Sequence, residues 1–368
     1  MDQNRLSQLA LNFIPGIGSY SIKQLISYCG SAEAVFKTNK SKLLKIPGIG
    51  PAAADLIINQ KPFEKAETEL TRADKEGVEV LLYTDKAYPQ RLKHINDAPT
   101  LLYYKGTTDL NKTKIVSIVG TRKATPYGKE FTEHLVKELK AHDALVISGL
   151  AYGIDICAHK AALSNEMDTV GVMASGINIV YPSVHREVSQ KMLTQGGLLT
   201  EHSYDVKPDP HKFPARNRII AGMADAIVIV EAAKKGGALI TAEVANGYNR
   251  DVFAVPGNIG EAYSEGCNNL IKSNKAHLLT GIKDLEYIMN WEASENTPSK
   301  ALDLSGLAQS ELTVVKHLTE HKNGILLDNL SWQTEMPVNQ LASILLNLEF
   351  KGFVNSLPGK RFKLASVK

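Results

Sequence analysis

Four short stretches of the sequence combine glycine with lysine or arginine, the residue types that bind phosphate groups. Glycine lets the backbone approach a ligand closely, and the cations neutralise its negative charge. An aromatic residue lies among these cations and can stack on a nucleobase. The candidate binding residues are Gly120, Thr121, Arg122, Lys123, Gly149, Gly153, Lys160, Lys212, Phe213, Arg216, Asn217, Arg218, Gly236 and Gly237. Cations that follow phosphates, together with a stacking ring, predict a site for single-stranded nucleic acid.

Each of these residues also has a purely structural interpretation. Phe213 can be a core residue, because an aromatic side chain beside proline is usually buried. Arg216 and Arg218 are two positions apart at a helix start, so they point in different directions and one of them can pair with a carboxylate. Lys160 can be a solvated helix residue. Arg122 favours ligand binding on its own, and the other residues favour it only as a group.

The elements that position these residues begin with a strand at Ile115–Val119. Its Ile and Val residues are typical of a parallel strand that is buried on both faces. Gly120 ends the strand, and Thr125-Pro126 predicts a helix start with threonine as the N-cap. The loop between them therefore lies at the carboxyl end of a parallel strand, where open α/β sheets bind ligands. Phosphate fits this loop because it offers a glycine backbone and two adjacent cations.

Short apolar strands alternate with amphipathic helices from residue 115 onward. Strands are predicted at 115–119, 145–147, 169–173, 198–199, 227–230, 252–255 and 278–279, after two earlier ones at 78–83 and 101–104. This order predicts an α/β fold with a central Rossmann-like, doubly wound and mostly parallel sheet. The four candidate loops should then meet at the carboxyl edge of the sheet. No Gly-x-Gly-x-x-Gly follows the strand at 115–119, so a dinucleotide cofactor is not expected.

An internal repeat predicts a small helical domain at residues 1–62. The sequence Phe-Ile-Pro-Gly-Ile-Gly at 13–18 returns as Lys-Ile-Pro-Gly-Ile-Gly at 45–50. Each copy joins two apolar helical stretches and resembles the helix-hairpin-helix (SAM-like) element, in which the turn offers backbone N–H groups to a DNA phosphate. The repeat also fits a helical module whose glycines only form turns, because few cations stand beside it. Residues 63–77 are predicted to form a connecting helix.

The C-terminal part is predicted to be a winged-helix domain at 305–368, joined by a polar linker at 291–304 to the domain at 78–290. Three helices are expected at 310–320, 325–332 and 338–351, followed by two strands around a Pro-Gly turn. Winged-helix modules often place the third helix in the major groove of duplex DNA. The third helix here carries few cations before Lys351, so a protein-binding role is at least equally favoured.

Composition limits the class of protein. The 368 residues exceed what one core usually organises, so two or three domains are expected. The net charge is only +3, so nucleic-acid binding has to rest on local clusters of cations. No signal-peptide pattern and no membrane-spanning apolar run is present. Cys29, Cys157 and Cys267 lie far apart without metal-ligand spacing, which favours a cytoplasmic protein without a metal site.

Five motifs in the central part carry a family resemblance. They are Ile-Val-Gly-Thr-Arg at 118–122, Ser-Gly-Leu-Ala-Tyr-Gly-Ile-Asp at 148–155 with Ala158-His159, Phe-Pro-Ala-Arg-Asn-Arg-Ile-Ile-Ala at 213–221, Gly-Ala-Leu-Ile-Thr-Ala at 237–242 and Val-Pro-Gly at 255–257. Together they resemble the DNA-processing protein A family, DprA, also called Smf. The resemblance covers residues 78–290 densely, and a helical N-terminal domain and a winged-helix C-terminal domain also occur in that family.

The resemblance implies a single-stranded-DNA-binding recombination mediator that protects incoming DNA and loads RecA recombinase during natural transformation. It further implies a homodimer formed through the Rossmann-like domain, with no cofactor and no catalytic step. The sequence Tyr-Pro-Ser-Val-His at 181–185 departs from the family's Tyr-Pro-x-x-Asn at His185. No role is therefore carried over to that loop.

Two other functions remain open at this point. Gly236-Gly237 followed by Glu243 is similar to the Pro-Gly-Gly-x-Gly-Thr-x-x-Glu motif of LOG-type nucleotide phosphoribohydrolases, in which the glycines hold a phosphate and the glutamate acts at the ribose. Lys235 replaces the proline of that motif, and Leu239 replaces its third glycine and is expected to crowd a phosphate. No convincing acid/base pair is present. The other alternative is a duplex-DNA-binding protein that acts through its two end domains.

Overall fold

Six helices and the turns between them form the N-terminal part of the structure. The computed structural model describes residues 2–291, 307–319, 321, 324–357 and 361–364. The helices are α1 (Gln3–Asn12), α2 (Ser19–Cys29), α3 (Ala32–Lys37), α4 (Lys40–Leu43), α5 (Pro51–Asn59) and α6 (Phe63–Lys75). In the two copies of the repeat, Gly16 and Gly48 adopt φ values of +76° and +81°, and Gly18 and Gly50 precede α2 and α5 as N-caps. The repeat therefore builds the same turn twice, as expected for a helix-hairpin-helix element.

The central part alternates strands and helices as the sequence predicts. Its elements are β1 (Glu79–Leu82), α7 (Gln90–Lys93), β2 (Leu101–Gly106), β3 (Ile115–Val119), α8 (Pro126–Leu139), β4 (Leu145–Ser148), α9 (Ile154–Ser164), β5 (Thr169–Val172), α10 (Arg186–Met192), β6 (Gly196–Thr200), α11 (Lys212–Met223), β7 (Ala226–Ile229), α12 (Gly237–Gly247), β8 (Asp251–Ala254), α13 (Glu265–Lys272), β9 (His277–Leu278) and α14 (Ile282–Met289). None of the described helices is both long and apolar enough to cross a membrane.

The strands form a nine-stranded sheet in the order β1-β2-β6-β5-β4-β3-β7-β8-β9. The seven strands from β6 to β9 along the sheet are parallel, and β2 pairs antiparallel with both β1 and β6. The chain proceeds from β3 outward to β6 and then returns to start again at β7 beside β3. This reversal creates a topological switch point at β3 and β7, where doubly wound sheets bind ligands beyond the carboxyl ends of their strands.

Both faces of β3 are buried, which explains its continuous run of apolar residues. Ile115 and Val119 pack into one hydrophobic cluster, and Val116 and Ile118 pack into another on the opposite face. Between them, the buried Ser117 hydroxyl donates a hydrogen bond to the carbonyl oxygen of Ile220 in α11 (2.8 Å). Helices on both faces therefore hold β3 rigidly, and the loop that follows it starts from a fixed point.

The N-terminal helices share a hydrophobic core with the antiparallel edge of the sheet. Leu9 of α1 and Ala66 of α6 are fully buried in the same cluster as Val80 of β1 and Tyr103 of β2. Residues Met1–Ser294 accordingly form one compact unit, and Glu295–Lys368 form another. The predicted boundary between residues 62 and 78 remains a prediction, and a cut there would expose this shared core.

The second unit has the winged-helix order of elements. It contains α15 (Gln309–Thr319), β10 (Ile325–Leu326), α16 (Leu327–Thr334), α17 (Val338–Phe350), β11 (Val354–Leu357) and β12 (Arg361–Leu364), with sheet order β10-β12-β11. The predicted helix at 325–332 begins two residues late, because Ile325 and Leu326 pair with β12 instead. The Lys351 ammonium lies 2.7 Å from the Glu311 carboxylate. The predicted Pro358-Gly359 turn and most of the predicted linker, residues 292–304, lie outside the described residues.

Candidate nucleic-acid interface

Five neighbouring parallel strands end at one edge of the sheet, in the order β6, β5, β4, β3 and β7. The loops after β6, β4, β3 and β7 are the four that the sequence predicted to meet there. The loop after β5 is a fifth. These five loops, with the first turns of α11 and α12, are called the candidate interface below.

Arg122 lies at the exposed tip of the loop after β3. Glu231, which follows β7, fixes this loop because its carbonyl accepts from the Thr121 N–H (2.7 Å) and its carboxylate accepts from the Thr125 N–H (2.9 Å). Thr125 also caps α8, as predicted. The guanidinium carbon of Arg122 lies 5.5 Å from the ring centroid of Phe213, within cation–π distance. Within the described residues, no hydrogen bond or ion pair occupies this guanidinium.

Arg216 lies beneath the candidate interface rather than on it. Its side chain is only 4% exposed, and its guanidinium donates hydrogen bonds to the carbonyls of Gly149 (2.5 Å) and Val172. The Asp155 carboxylate faces the same guanidinium and accepts from backbone N–H groups that include those of Gly149 and Gly120. Burial raises the pKa of Asp155 and lowers that of Arg216 to about 10, and each partner's charge opposes the other's shift. The structure does not support the expected DNA contact of Arg216, which is paired internally.

Three of the predicted binding glycines serve contacts inside the protein. Gly153 has a φ of +80°, and a Cβ there would lie 2.1 Å from the carbonyl oxygen of Thr121. A Cβ at Gly120 would lie 2.5 Å from a side-chain carbon of α9, and one at Gly149 would lie 2.6 Å from the Arg216 guanidinium. The loops after β3 and β4 thus require glycine because they pack against each other and against α11. This packing role explains the three glycines, and their close approach to a ligand stays a prediction.

The start of α12 is open. Gly236 and Gly237 are exposed, and no atom lies within 4 Å of the Cβ position of either residue. The first N–H groups of a helix have no partners within it, so a phosphate can approach them here. Lys234 and Lys235 are exposed just before the helix. Asn217 connects this opening to α11, because its side-chain amide donates to the carbonyl of Gly237 (3.4 Å).

The remaining predicted cations differ in their surroundings. Lys123 is exposed in the loop after β3. Lys212, at the start of α11, is half-buried, and its ammonium donates to a backbone carbonyl (2.7 Å). Arg218 forms an ion pair with Glu201 and faces away from Arg216, as their spacing predicted. Lys160 is exposed in the middle of α9, which fits its interpretation as a solvated residue. Arg218 is therefore ion-paired and Arg216 is hydrogen-bonded inside the protein, whereas Lys123 is free to meet a ligand.

Two exposed tyrosines of the candidate interface, Tyr181 and Tyr152, are not among the binding residues predicted from the sequence. Tyr181 follows β5 and is 51% exposed, and its ring centroid lies 5.8 Å from that of Phe213. Tyr152 follows β4, and its ring lies 5.1 Å from that of His185. His185 is buried, and its Nδ1–H donates to the carbonyl of Leu150 (2.9 Å), which joins the loops after β4 and β5. The sequence did offer one signal for Tyr181, because it follows the strand predicted at 169–173 and therefore belongs to a loop at the edge where a ligand is expected.

A buried histidine links α9 to the start of β5. His159 in α9 is fully buried, and its Nδ1 lies 2.7 Å from the Thr169 hydroxyl. Because that hydroxyl donates to the carbonyl of Val146 (2.9 Å), it accepts from the imidazole, which therefore carries its proton on Nδ1. Burial, together with the nearby charges of His185 and Arg216, lowers the pKa of His159 to about 3. The imidazole is thus neutral at ordinary pH.

In the described part of the chain, no contact brings the residues of the phosphoribohydrolase alternative, Gly236, Gly237 and Glu243, together around one cavity. The Glu243 carboxylate is exposed, and its nearest cation is the Lys275 ammonium at 3.9 Å. Leu239 packs against the hydrophobic core, so it does not crowd the opening at α12 as expected. The described residues contain no group of three His, Cys, Asp or Glu side chains that could hold a metal ion.

Comparison with known proteins gives the same fold and family. Residues 79–290 match the family described as DNA recombination-mediator protein A, residues 298–360 match the DprA winged helix domain, and residues 9–60 match a SAM-like helix-hairpin-helix tandem. Protein Smf of Escherichia coli is 31% identical, with 82% of each chain covered. The crystal structure of DNA processing protein A from Streptococcus pneumoniae is similar with a TM-score of 0.68 and 31% identity, over 79% of this chain and 99% of that one.

A second solved structure adds a ligand to the comparison. DNA processing protein A from Helicobacter pylori is similar with a TM-score of 0.53 and 29% identity, over 58% of this chain and 97% of that one. That structure gives insight into the single-stranded DNA binding mode of the Helicobacter pylori protein. With more than half of its length matched, this chain belongs to the DNA recombination-mediator protein A (DprA/Smf) family of DNA-processing proteins.

Proposed function

We propose that the protein binds single-stranded DNA at the candidate interface. The observation that carries this proposal is the exposed Arg122 guanidinium over the Phe213 ring, without a carboxylate partner among the described residues. Such a guanidinium can hold a phosphate with two parallel hydrogen bonds while the neighbouring aromatic surface meets a base. The open start of α12 offers a second phosphate position, and the Helicobacter pylori relative binds the same kind of ligand.

The same proposal extends to recombination. We infer that the protein protects incoming DNA and loads RecA during natural transformation, acting as a homodimer through its Rossmann-like domain and without a catalytic step. Family membership and the exposed cations support this role. RecA loading is measured as a shorter lag of RecA ATP hydrolysis on single strands coated with single-strand-binding protein. Light scattering tests the dimer, since a dimer doubles the chain mass of 40.2 kDa.

The deciding experiment compares oligothymidine with a duplex of equal length by fluorescence anisotropy at two salt concentrations. We expect the single strand to bind more tightly and its affinity to fall steeply with salt, because bound phosphates release counterions. A chain ending at Ser294 retains the whole first unit and should bind like the full chain. Preference for the duplex, lost on removal of residues 295–368, would favour the duplex-binding alternative.

The phosphoribohydrolase alternative rests on the open glycines at α12, which a nucleotide phosphate can also reach. The full chain is incubated with nucleoside monophosphates, and free base is measured by chromatography. We expect no release, and Glu243→Gln should leave DNA binding unchanged because the carboxylate is exposed beside Lys275. Base release that disappears in Glu243→Gln would establish the enzyme instead.

A further inference from the structure

The loop after β5 exposes two large apolar side chains, one of them aromatic. Tyr181 and Val184 are 51% and 66% exposed, although Pro182 between them is buried. A single exposed apolar side chain needs no explanation. Here, however, two of them lie on one loop at the edge where a ligand is expected. Tyr152 is also half exposed on the neighbouring loop. This clustering indicates a contact surface.

Tyr181 offers a freer ring than Phe213. The Arg122 guanidinium lies over the Phe213 ring at 5.5 Å, and Phe213 is half-buried. A base that stacks on that face of Phe213 has to displace the cation. The Tyr181 ring contacts the Phe213 ring at a centroid distance of 5.8 Å and an angle of 50°, so the two rings touch at a tilt. A base cannot insert between them, but Tyr181 is half exposed and leaves ring surface that can receive one.

The backbone holds Tyr181 in this place before any ligand arrives. The Ser175 hydroxyl donates to the carbonyl of Ile179 (2.6 Å) just before it, and the His185 N–H donates to the carbonyl of Pro182 (3.1 Å) just after it. The buried His185 imidazole then fastens the loop to the loop after β4. A ring that is already positioned loses little conformational entropy on binding, and tyrosine has only two side-chain torsions.

We propose that Tyr181 is a base-stacking residue for single-stranded DNA, adjacent to a phosphate held by Arg122. The inference rests on the proposed function and assigns a path to the bound DNA along the edge of the sheet, between the loop after β3 and the loop after β5. Phe213 lies between the two residues and supports both, with its ring under the guanidinium and against the tyrosine. Stacking on a tyrosine is tolerant of sequence because every base has a π-face.

The test uses the full chain with Tyr181→Ala and Tyr181→Phe, and two oligonucleotides of equal length, oligothymidine and an abasic strand with the same phosphates. On oligothymidine, Tyr181→Ala should weaken binding by roughly 5- to 150-fold, the range for one stacked base, and Tyr181→Phe should bind nearly as the wild type does. On the abasic strand, all three proteins should bind alike. The salt dependence should be the same for all three, because Tyr181 neutralises no phosphate.

The matched control is Tyr287→Ala, another exposed tyrosine, which follows β9. Its neighbour in α14, Glu286, lies 2.9 Å from the His142 imidazole just before β4, at the amino ends of the parallel strands and so at the edge of the sheet opposite the candidate interface. This variant should therefore bind both oligonucleotides as the wild type does. Equal affinity of Tyr181→Ala and wild type for oligothymidine would overturn the inference, as would an equal loss on the abasic strand. The proposed function fails separately, if the wild type binds no single strand at low salt.

A purely supporting role for Tyr181 is distinguished by a double variant. If Tyr181 only held Phe213 in place, Tyr181→Ala combined with Phe213→Ala would bind no worse than Phe213→Ala alone, and the inference would be overturned. If Tyr181 stacks a base itself, the double variant should bind oligothymidine at least fivefold more weakly than Phe213→Ala. Thermal unfolding of each variant shows that the compared proteins are folded.

Discussion

Replacing Arg122 by alanine tests the candidate interface where it is most exposed. The guanidinium has no ion-pair or hydrogen-bond partner among the described residues, so its removal should leave folding nearly unchanged. A lost charge-assisted contact to a phosphate costs about 1.5–3 kcal/mol, which corresponds to roughly 12- to 140-fold weaker binding. Affinity for oligothymidine should fall by that factor. The salt slope should fall by about 0.7, the contribution of one single-strand phosphate.

Two further variants sharpen this measurement. Arg122→Lys should restore the salt slope but only part of the affinity, because an ammonium cannot form two parallel hydrogen bonds with a phosphate. Lys137→Ala removes one exposed charge from the last turn of α8, far from the candidate interface, and should bind as the wild type does.

Anisotropy titrations at four salt concentrations give affinity and slope, and a thermal melt of the same samples gives stability. The reasoning is refuted if Arg122→Ala melts several degrees lower and loses affinity only in proportion to its unfolded fraction. In that case the side chain would hold the loop after β3 rather than a ligand. The same conclusion would follow if Lys137→Ala lost as much affinity as Arg122→Ala.

Three other predictions follow from the structure. Arg216→Ala should lower the free energy of unfolding by about 3–5 kcal/mol, because it leaves the carbonyls of Gly149 and Val172 without their donor and removes the charge that stabilises the buried Asp155 carboxylate; urea denaturation measures this, and an unchanged midpoint would contradict it. The pKa of His159 is about 6.5 in the unfolded chain and about 3 in the folded one, so the free energy of unfolding should fall by about 2 kcal/mol from pH 7 to pH 5. His159→Gln should lose this part of the pH dependence, which urea denaturation at both pH values measures. The same pH dependence of the unfolding free energy in variant and wild type would contradict this prediction. Removing residues 295–368 should leave single-strand affinity nearly unchanged, since Lys351 of the winged-helix unit is paired with Glu311; a large loss in the same titration would argue against this.

Much of the fold could be predicted because its signals are local. The apolar run at Ile115–Val119 became a buried strand with the predicted bounds, and the repeated Pro-Gly-Ile-Gly sequence became two similar turns. The meeting of four loops at one edge followed from parallel topology alone. The predicted start of the helix at 325–332 was wrong by two residues, because the pairing of Ile325 with Phe362 in β12 is a contact between distant residues.

The candidate site was harder to predict, because composition does not tell an exposed cation from a buried one. One signal was nevertheless available in α11. Its buried residues Arg216, Ile219, Ile220 and Met223 follow the spacing i, i+3, i+4, i+7, so Arg216 belongs to the stripe that faces the sheet. The role of Gly149 could not be predicted, because the need for glycine there comes from the guanidinium of a distant helix.

The buried Arg216 and the exposed Arg122 have different roles, which one residue cannot combine. A charge that fixes a loop must be hydrogen-bonded and dry, as Arg216 is through the carbonyls of Gly149 and Val172 beneath the loop after β4. A charge that binds a mobile polyanion must keep its donors free and still be held in place. Arg122 meets this condition because its backbone is fixed by Glu231 and by the close approach of Gly153, while its guanidinium stays in solvent. A phosphate therefore meets a cation whose position has already been set by folding, and little reorganisation is left to oppose binding.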